Sequence, residues 1–242
     1  MFIDVHTHLT DKAFDYDRKD VIERSGCVAL INNGYTFSDN RETLALAKQF
    51  SIVKVALGLH PSETSHLSQK DIDAEIAWIA KQTFVAIGEI GLDFTYDGHE
   101  KQIVSFKKFI QLALKKNIPM IIHSRKAEKE VIAILEEMKA KKVILHCFTG
   151  KLKLAERAEA LGYSFSIPPL VNHSHQFQDL VRIVSIMKLL TETDAPFLSP
   201  KRGERNEPAY VQIAVKKIAE IKGMDAKEVE HAIFANYQRL FS

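Results

Sequence analysis

Residues 1–8, Met-Phe-Ile-Asp-Val-His-Thr-His, are a short apolar run that ends in two histidines one residue apart. Side chains on an extended strand alternate faces with period two, so His6 and His8 point the same way. Neutral imidazole is a good ligand for a divalent metal, and two imidazoles aimed at one point suit such an ion. The same spacing also fits two surface histidines. What decides is whether later segments bring further ligands to the same place.

Seven more apolar runs follow: Cys27–Ile31, Ile52–Leu57, Phe84–Ile87, Met120–Ile122, Val143–Leu145, Tyr163–Ile167 and Met187–Thr191. They are rich in β-branched and aromatic residues and show no polar/apolar alternation, as strands buried on both faces do. Helical periodicity fills many of the gaps, over Arg41–Phe50, Lys101–Lys116, Glu130–Met138, Lys151–Leu161, Gln176–Val184, Pro208–Lys222 and Asp225–Phe241. Lys101–Lys116, for example, repeats Ile103, Phe106, Ile110, Ala113 and Leu114 along one face. Eight buried strands alternating with helical segments predict a (β/α)8 TIM barrel occupying residues 1–242 as a single domain. A doubly wound open sheet is disfavoured, because no Gly-x-Gly-x-x-Gly turn follows the first strand.

Composition narrows the function. Of 242 residues, 46% are hydrophobic and 26% charged, as in ordinary globular proteins. The 33 basic and 31 acidic residues leave a net charge of only +2. No basic stripe marks a protein that coats nucleic acid, so any such substrate must be gripped locally. Cys27 and Cys147 lie in apolar runs outside any Cys-x-x-Cys pair, and both are expected to be buried thiols in a reducing compartment. Asp4 and His6 interrupt the apolar core that a signal peptide needs, and no stretch is long enough to cross a bilayer. The expectation is a soluble, cytoplasmic protein with no membrane association and no obligate protein partner.

In a barrel of this kind the active site forms at the carboxyl ends of the strands. Behind the third run stands Gly58-Leu59-His60-Pro61, and behind the fourth Gly88-Glu89-Ile90-Gly91-Leu92-Asp93. The fifth is followed by His123-Ser124-Arg125, the sixth by His146-Cys147-Phe148-Thr149-Gly150, and the eighth by Glu192-Thr193-Asp194-Ala195-Pro196. Singly, each fits an ordinary role: a turn residue for His60, backbone-satisfied strand histidines for His123 and His146, caps for Glu89 and Asp194. Together they fall on one face of the barrel. The imidazoles of His6, His8, His123 and His146 with the carboxylates of Glu89 and Asp194 make a divalent-metal inventory, enough for two ions. The mixed ligand chemistry admits Mg²⁺, Mn²⁺ or Zn²⁺. A nucleophilic alternative finds no support, since there is no Gly-x-Ser-x-Gly elbow.

The motifs Asp-x-His-x-His, Gly-Leu-His-Pro, Gly-Glu-Ile-Gly-Leu-Asp, Ile-Ile-His-Ser-Arg, Leu-His-Cys-Phe-Thr-Gly, Glu-Thr-Asp-Ala-Pro and Lys201–Val211 together resemble the TatD family of metal-dependent hydrolases, which are amidohydrolase-type TIM barrels. The resemblance runs over the whole chain. It implies one ion held by His6, His8 and Asp194, a second by His123 and His146, and Glu89 bridging them. The chain departs from the family pattern in the loop Ile167–His175, which has no lysine.

Two such ions would activate water for hydrolysis of a phosphodiester, most simply in DNA or a short oligonucleotide. Asp194 and Glu89 are then the catalytic carboxylates, with Asp194 orienting or deprotonating the water. His60, Arg125, Arg202 and Arg205 are expected to bind substrate phosphates, for which guanidinium is well matched. Asp93 is expected to support the ligands rather than join them. RNA stands beside DNA as a phosphodiester substrate; the same centre acting on a carbonyl is the alternative, with a D-aminoacyl-tRNA or a small ester or amide as substrate. A silent scaffold barrel is the third reading; it conflicts with a complete ligand set, since unfilled buried ligands are costly to keep.

Overall fold

Every apolar run becomes a strand, and the strands pair in chain order. The computed structural model describes all 242 residues. Strands β1 (Phe2–Thr7), β2 (Cys27–Asn33), β3 (Val53–Leu57), β4 (Ala86–Asp93), β5 (Met120–Arg125), β6 (Val143–His146), β7 (Ser164–Ile167) and β8 (Leu189–Thr191) form one parallel sheet in the order β1 to β8. Because β8 is short, side chains help to close the seam with β1. The Asp194 amide donates to the His6 carbonyl (2.8 Å), Thr191 Oγ1 to the Ile3 carbonyl (2.6 Å), and the Thr193 amide to the buried Asp4 carboxylate (3.0 Å). The result is a nearly closed (β/α)8 barrel, as the sequence predicts.

The barrel is filled by Ile3, Val5, Ala29, Ile31, Ala56, Ala86, Ile121, Ile144 and Leu190, and Leu240 near the carboxyl terminus packs into the same cluster. Alternation then places a polar layer two residues further along the inner face: Asn33, Gly58, Gly88, His123, His146 and Glu192. Two strands break that count. Asp4 and Thr7, three apart, pair with Leu30 and Asn32, two apart. Ile87 and Ile90, three apart, pair with Met120 and Ile122, two apart. Each offset is a bulge that adds one residue and re-aims the side chains beyond it. The first turns His6 and His8 inward above Val5, and the second turns Glu89 inward beside Gly88.

Ten α-helices cover the outside. They are α1 (Arg18–Arg24), α2 (Phe37–Ala47), α3 (Pro61–His66), α4 (Gln69–Ile79), α5 (His99–Lys116), α6 (Glu128–Glu137), α7 (Leu152–Ala160), α8 (His175–Ile183), α9 (Val211–Lys222) and α10 (Ala226–Phe241). α5 shows why they form: Phe106, Phe109, Ile110 and Ala113 recur at helical spacing and are buried. They pack on outward strand residues such as Leu57, Ile87, Ile122 and Leu145 in the main apolar cluster. α5 stops where Asn117 takes a left-handed conformation, its amide donating to Leu114 (3.2 Å). No helix is long and apolar enough to cross a membrane. Both cysteines are free; Cys27 is buried as expected, whereas Cys147 is only half-buried, because it lies just past the end of β6.

The fourth strand also differs from its expected extent. The sequence ends it at Ile87, but β4 continues to Asp93, so Glu89 lies within the strand rather than in the loop behind it. Gly88 and Gly91 allow this. A Cβ on Gly88 would stand 2.8 Å from Asn33 Oδ1, and one on Gly91 would overlap the His123 carbonyl. Gly91 also sits at φ 147°, where side chains are disfavoured. Gly91→Ala is therefore expected to destabilise the protein by roughly 2–4 kcal/mol. An unchanged urea midpoint would contradict this.

Candidate metal centre

The two bulges and the polar layer converge at the carboxyl ends of the strands. His6 and His8 bring their Nε2 atoms to 3.1 Å of each other. Both atoms stand 3.3 Å from Asp194 Oδ1. Both also stand 3.5 Å from Glu89 Oε2. The second Glu89 oxygen faces the other way, with His123 Nδ1 at 2.8 Å and His146 Nε2 at 3.5 Å from Oε1. The six residues read as ligands from the sequence are thus brought together, and Glu89 stands between two groups of them. His60 joins the second group, its Nε2 lying 3.7 Å from Glu89 Oε1.

The far side of each ring is held by an acceptor, which decides the nitrogen left for an ion. His8 Nδ1 lies 3.0 Å from the Asn33 carbonyl, which can only accept. The Nδ1–H must donate there, so Nε2 is the nitrogen that faces Glu89 and Asp194 and the one an ion would take once its proton leaves. His146 Nδ1 meets Glu192 Oε2 at 3.1 Å, and His123 Nε2 meets Asp93 Oδ2 at 3.2 Å. His6 is the exception: it is held by stacking on His146, with ring centroids 3.8 Å apart, and its buried Nδ1 has no hydrogen-bond partner. Asp93 therefore supports His123, as expected. Glu192 is the functional residue that sequence reasoning missed. It is fully buried and also accepts from the Cys147 amide and the Ser166 hydroxyl. Its signal was present: Glu192 and Asp194 repeat the i, i+2 spacing of His6 and His8.

The electrostatics fit a cation. Burial alone would raise the Glu89 and Asp194 carboxyls, but the surrounding imidazoles overcome it and hold both well below the usual carboxylate range. Burial would likewise depress the imidazoles. The hydrogen bonds and charges of Asp93 and Glu89 outweigh it at His123, which rises to about 9. His6 is raised through Glu89 and Asp194 against the same burial. Protons on the rings thus occupy the place of positive charge among ionised carboxylates, as expected of ligands built to surround a metal.

A cavity of about 220 Å³ opens over this cluster and is lined by His8, Tyr35, His60, Glu89, Asp194 and Phe197, among others. A second, of about 310 Å³, lies across His123, His146 and Asp194 and reaches Arg125 and Thr149. Arg125 is exposed there at the end of β5. The loop behind β8 is placed differently from expectation. Arg205 forms a bidentate pair with Asp17 (2.8 and 2.6 Å), donates to the Ala13 carbonyl, and lies over the Phe14 ring. Its guanidinium is committed to bracing the loop against the segment before α1. Arg202, in the same loop, is exposed and lines neither cavity. Neither cysteine offers an alternative nucleophile, since burial pushes both thiols up.

Comparison with known proteins agrees with this geometry. Residues 3–242 match the family model described as TatD related DNase. The human Deoxyribonuclease TATDN3 (Homo sapiens) is 34% identical over 257 residues, covering 99% of this chain and 94% of the relative. The 3'-5' ssDNA/RNA exonuclease TatD of Escherichia coli (strain K12) is 31% identical over 254 residues, covering 98% of each. Among solved structures, the TatD homologue YjjV of Escherichia coli K12 superposes with a TM-score of 0.91 at 27% identity, covering 99% of this chain and 97% of that one.

Proposed function

The chain belongs to the family of TatD-related DNases and is a metal-dependent hydrolase, and from that premise we propose that it hydrolyses phosphodiester bonds of single-stranded DNA with two divalent ions. One ion is assigned to His6, His8 and Asp194, the other to His123 and His146, with Glu89 shared. The observation that carries this reading is the division of the Glu89 carboxylate, Oε2 toward His6 and His8, Oε1 toward His123 and His146. When bound, such ions supply Lewis acidity and make water nucleophilic near neutral pH.

The remaining work falls to the chain's own groups. Asp194 turns Oδ1 to the two histidines, which leaves Oδ2 to orient the attacking water and take its proton. His60 is pulled down to about 4 by burial, so it is neutral at physiological pH. Its Nδ1 accepts from the Ser62 amide (3.1 Å), which places the ring proton on Nε2. That N–H lies 3.7 Å from Glu89 Oε1 at the cavity wall and is suited to donate to a phosphoryl oxygen bound there. Arg125 supplies a free guanidinium for an adjoining phosphate. Arg202 stays in the proposal only as an outlying phosphate contact, and Arg205 leaves it. The net charge of +2 suits action at a strand end more than a grip on long duplex.

The relatives named as nucleases favour DNA over the carbonyl alternative. Purified protein loaded with Mg²⁺, Mn²⁺ or Zn²⁺ is expected to shorten end-labelled single-stranded DNA, to stop on chelation and to recover on metal return. Turnover of a D-aminoacyl-tRNA or a simple ester by the same preparation, with DNA left intact, would overturn the reading.

A further inference from the structure

A single exposed aromatic ring on a surface needs no explanation, but exposed rings gathered at a candidate site suggest a contact. Only three aromatic residues are among the exposed large hydrophobics, Tyr16, Tyr96 and Phe197, and two of these stand over the candidate metal centre. Phe197, half exposed at 51%, lies 6.0 Å from the His8 ring. Tyr96, 37% exposed, stands edge-on to His60 at 6.4 Å. Tyr35 lines the cavity with Phe197 and stands edge-on to His8 at 5.3 Å. The wall around them is otherwise imidazole, hydroxyl and carboxylate, so these rings are its apolar part.

Phe197 is held in place. Its amide donates to the Asp194 carbonyl (2.8 Å), and its carbonyl accepts from the buried Asn206 side chain (2.6 Å). Asn206 also binds the Thr193 carbonyl (2.7 Å), so one side chain ties the ring to the strand end that carries Asp194. Tyr35 is fixed likewise, its carbonyl accepting from the His60 amide and its own amide donating to Asp39 (both 3.0 Å). An exposed ring on a fixed backbone is pre-organised, so little freedom is lost when a flat partner settles on it.

The geometry points to Phe197, with Tyr35 beside it, as the stacking platform for the base next to the scissile phosphate. This rests on the phosphodiesterase reading and sharpens it. Stacking uses the π-face that every base has, so the platform is indifferent to sequence. It favours an unpaired strand, however, because bases within a duplex have both faces covered and only the terminal pair offers one open face. Phe197 thereby sets a preference for single-stranded ends, whereas Arg125 and His60 recognise only phosphate.

The test is a cycle between protein and substrate. Metal-loaded wild type, Phe197→Ala and Phe197→Trp are compared on a short single-stranded DNA and on the same strand with abasic terminal residues. Phe197→Ala is expected to raise KM on ordinary DNA about 5- to 150-fold and to leave KM on the abasic strand unchanged. Phe197→Trp should restore wild-type KM. A terminal 2-aminopurine should lose fluorescence on binding wild type and the Trp variant in the presence of chelator, and not on binding Phe197→Ala. Equal changes on both strands, or none on either, would overturn the platform while leaving the hydrolase reading intact. Wild type that cleaves neither strand with its metal bound would overturn both.

Discussion

Glu89→Ala is expected to abolish hydrolysis, by about 10³-fold or more, while leaving a folded barrel. One side chain here faces two groups of histidines through its two oxygens. No neighbour can replace it. Asp93 is bound to His123 Nε2, and Glu192 is bound to His146 Nδ1, Ser166 and Cys147. Without the Glu89 carboxylate, His6, His8, His123 and His146 lose the negative charge that lies between them. Glu89→Gln is expected to fail almost as badly, since an amide nitrogen donates where an acceptor is needed. Elemental analysis should show less metal per chain in both variants, with the far-ultraviolet circular dichroism spectrum retained. Wild-type turnover in either variant would contradict the role assigned to Glu89.

Asp194→Asn is expected to lower kcat by about 10²- to 10⁴-fold, the range for loss of a positioned base. The change keeps the shape of the side chain but removes both its charge and its proton affinity. It also separates two functions. His6, His8 and Glu89 remain to hold an ion, so metal content should fall less than in Glu89→Ala while kcat collapses. The wild-type carboxyl is held well below the usual range against the effect of burial, chiefly through hydrogen bonds from His6 and His8. It therefore stays ionised as pH falls through the ordinary carboxylate range, and an acid limb of activity near pH 4 is not its titration. A kcat within a few-fold of wild type would show that another group takes the proton.

The strands were legible because they are buried on both faces, and an unbroken apolar run such as Val143–Leu145 suits little else in a chain of this composition. The extent of β4 was not, because Gly-Glu-Ile-Gly reads as a turn. Those glycines instead let a bulged strand pass close to Asn33 and to the His123 backbone. The helices α1 and α3 were missed because they are only seven and six residues long, whereas α4 was missed although Ile72, Ile76 and Ile79 recur at helical spacing. α4 nevertheless carries a readable start in Ser68, whose hydroxyl accepts from the Asp71 amide (3.2 Å).

The same contrast holds at the site. Histidines at strand ends announce themselves by residue type, and period-two spacing orients them. His6 and His8 reach the interior together, yet a one-residue bulge is what brings them above Val5, and no sequence pattern marked it. Glu192 was visible as a carboxylate, but its role depends on the position of His146, which only the fold provides. Arg205 misled because a run of charged residues suggests phosphate binding, while its actual partner, Asp17, lies 188 residues earlier. Candidate ligands can be read from sequence by residue type and spacing, whereas supporting contacts made by distant residues cannot.

The central claim is that Glu89 lies between two ion positions, and anomalous diffraction from crystals soaked in Mn²⁺ tests it most directly. Two peaks are expected, about 3.5–4 Å apart, one beside His6, His8 and Asp194, the other beside His123 and His146, each within bonding distance of a different Glu89 oxygen. A single peak at full occupancy, or two that leave Glu89 unbound, would contradict the account.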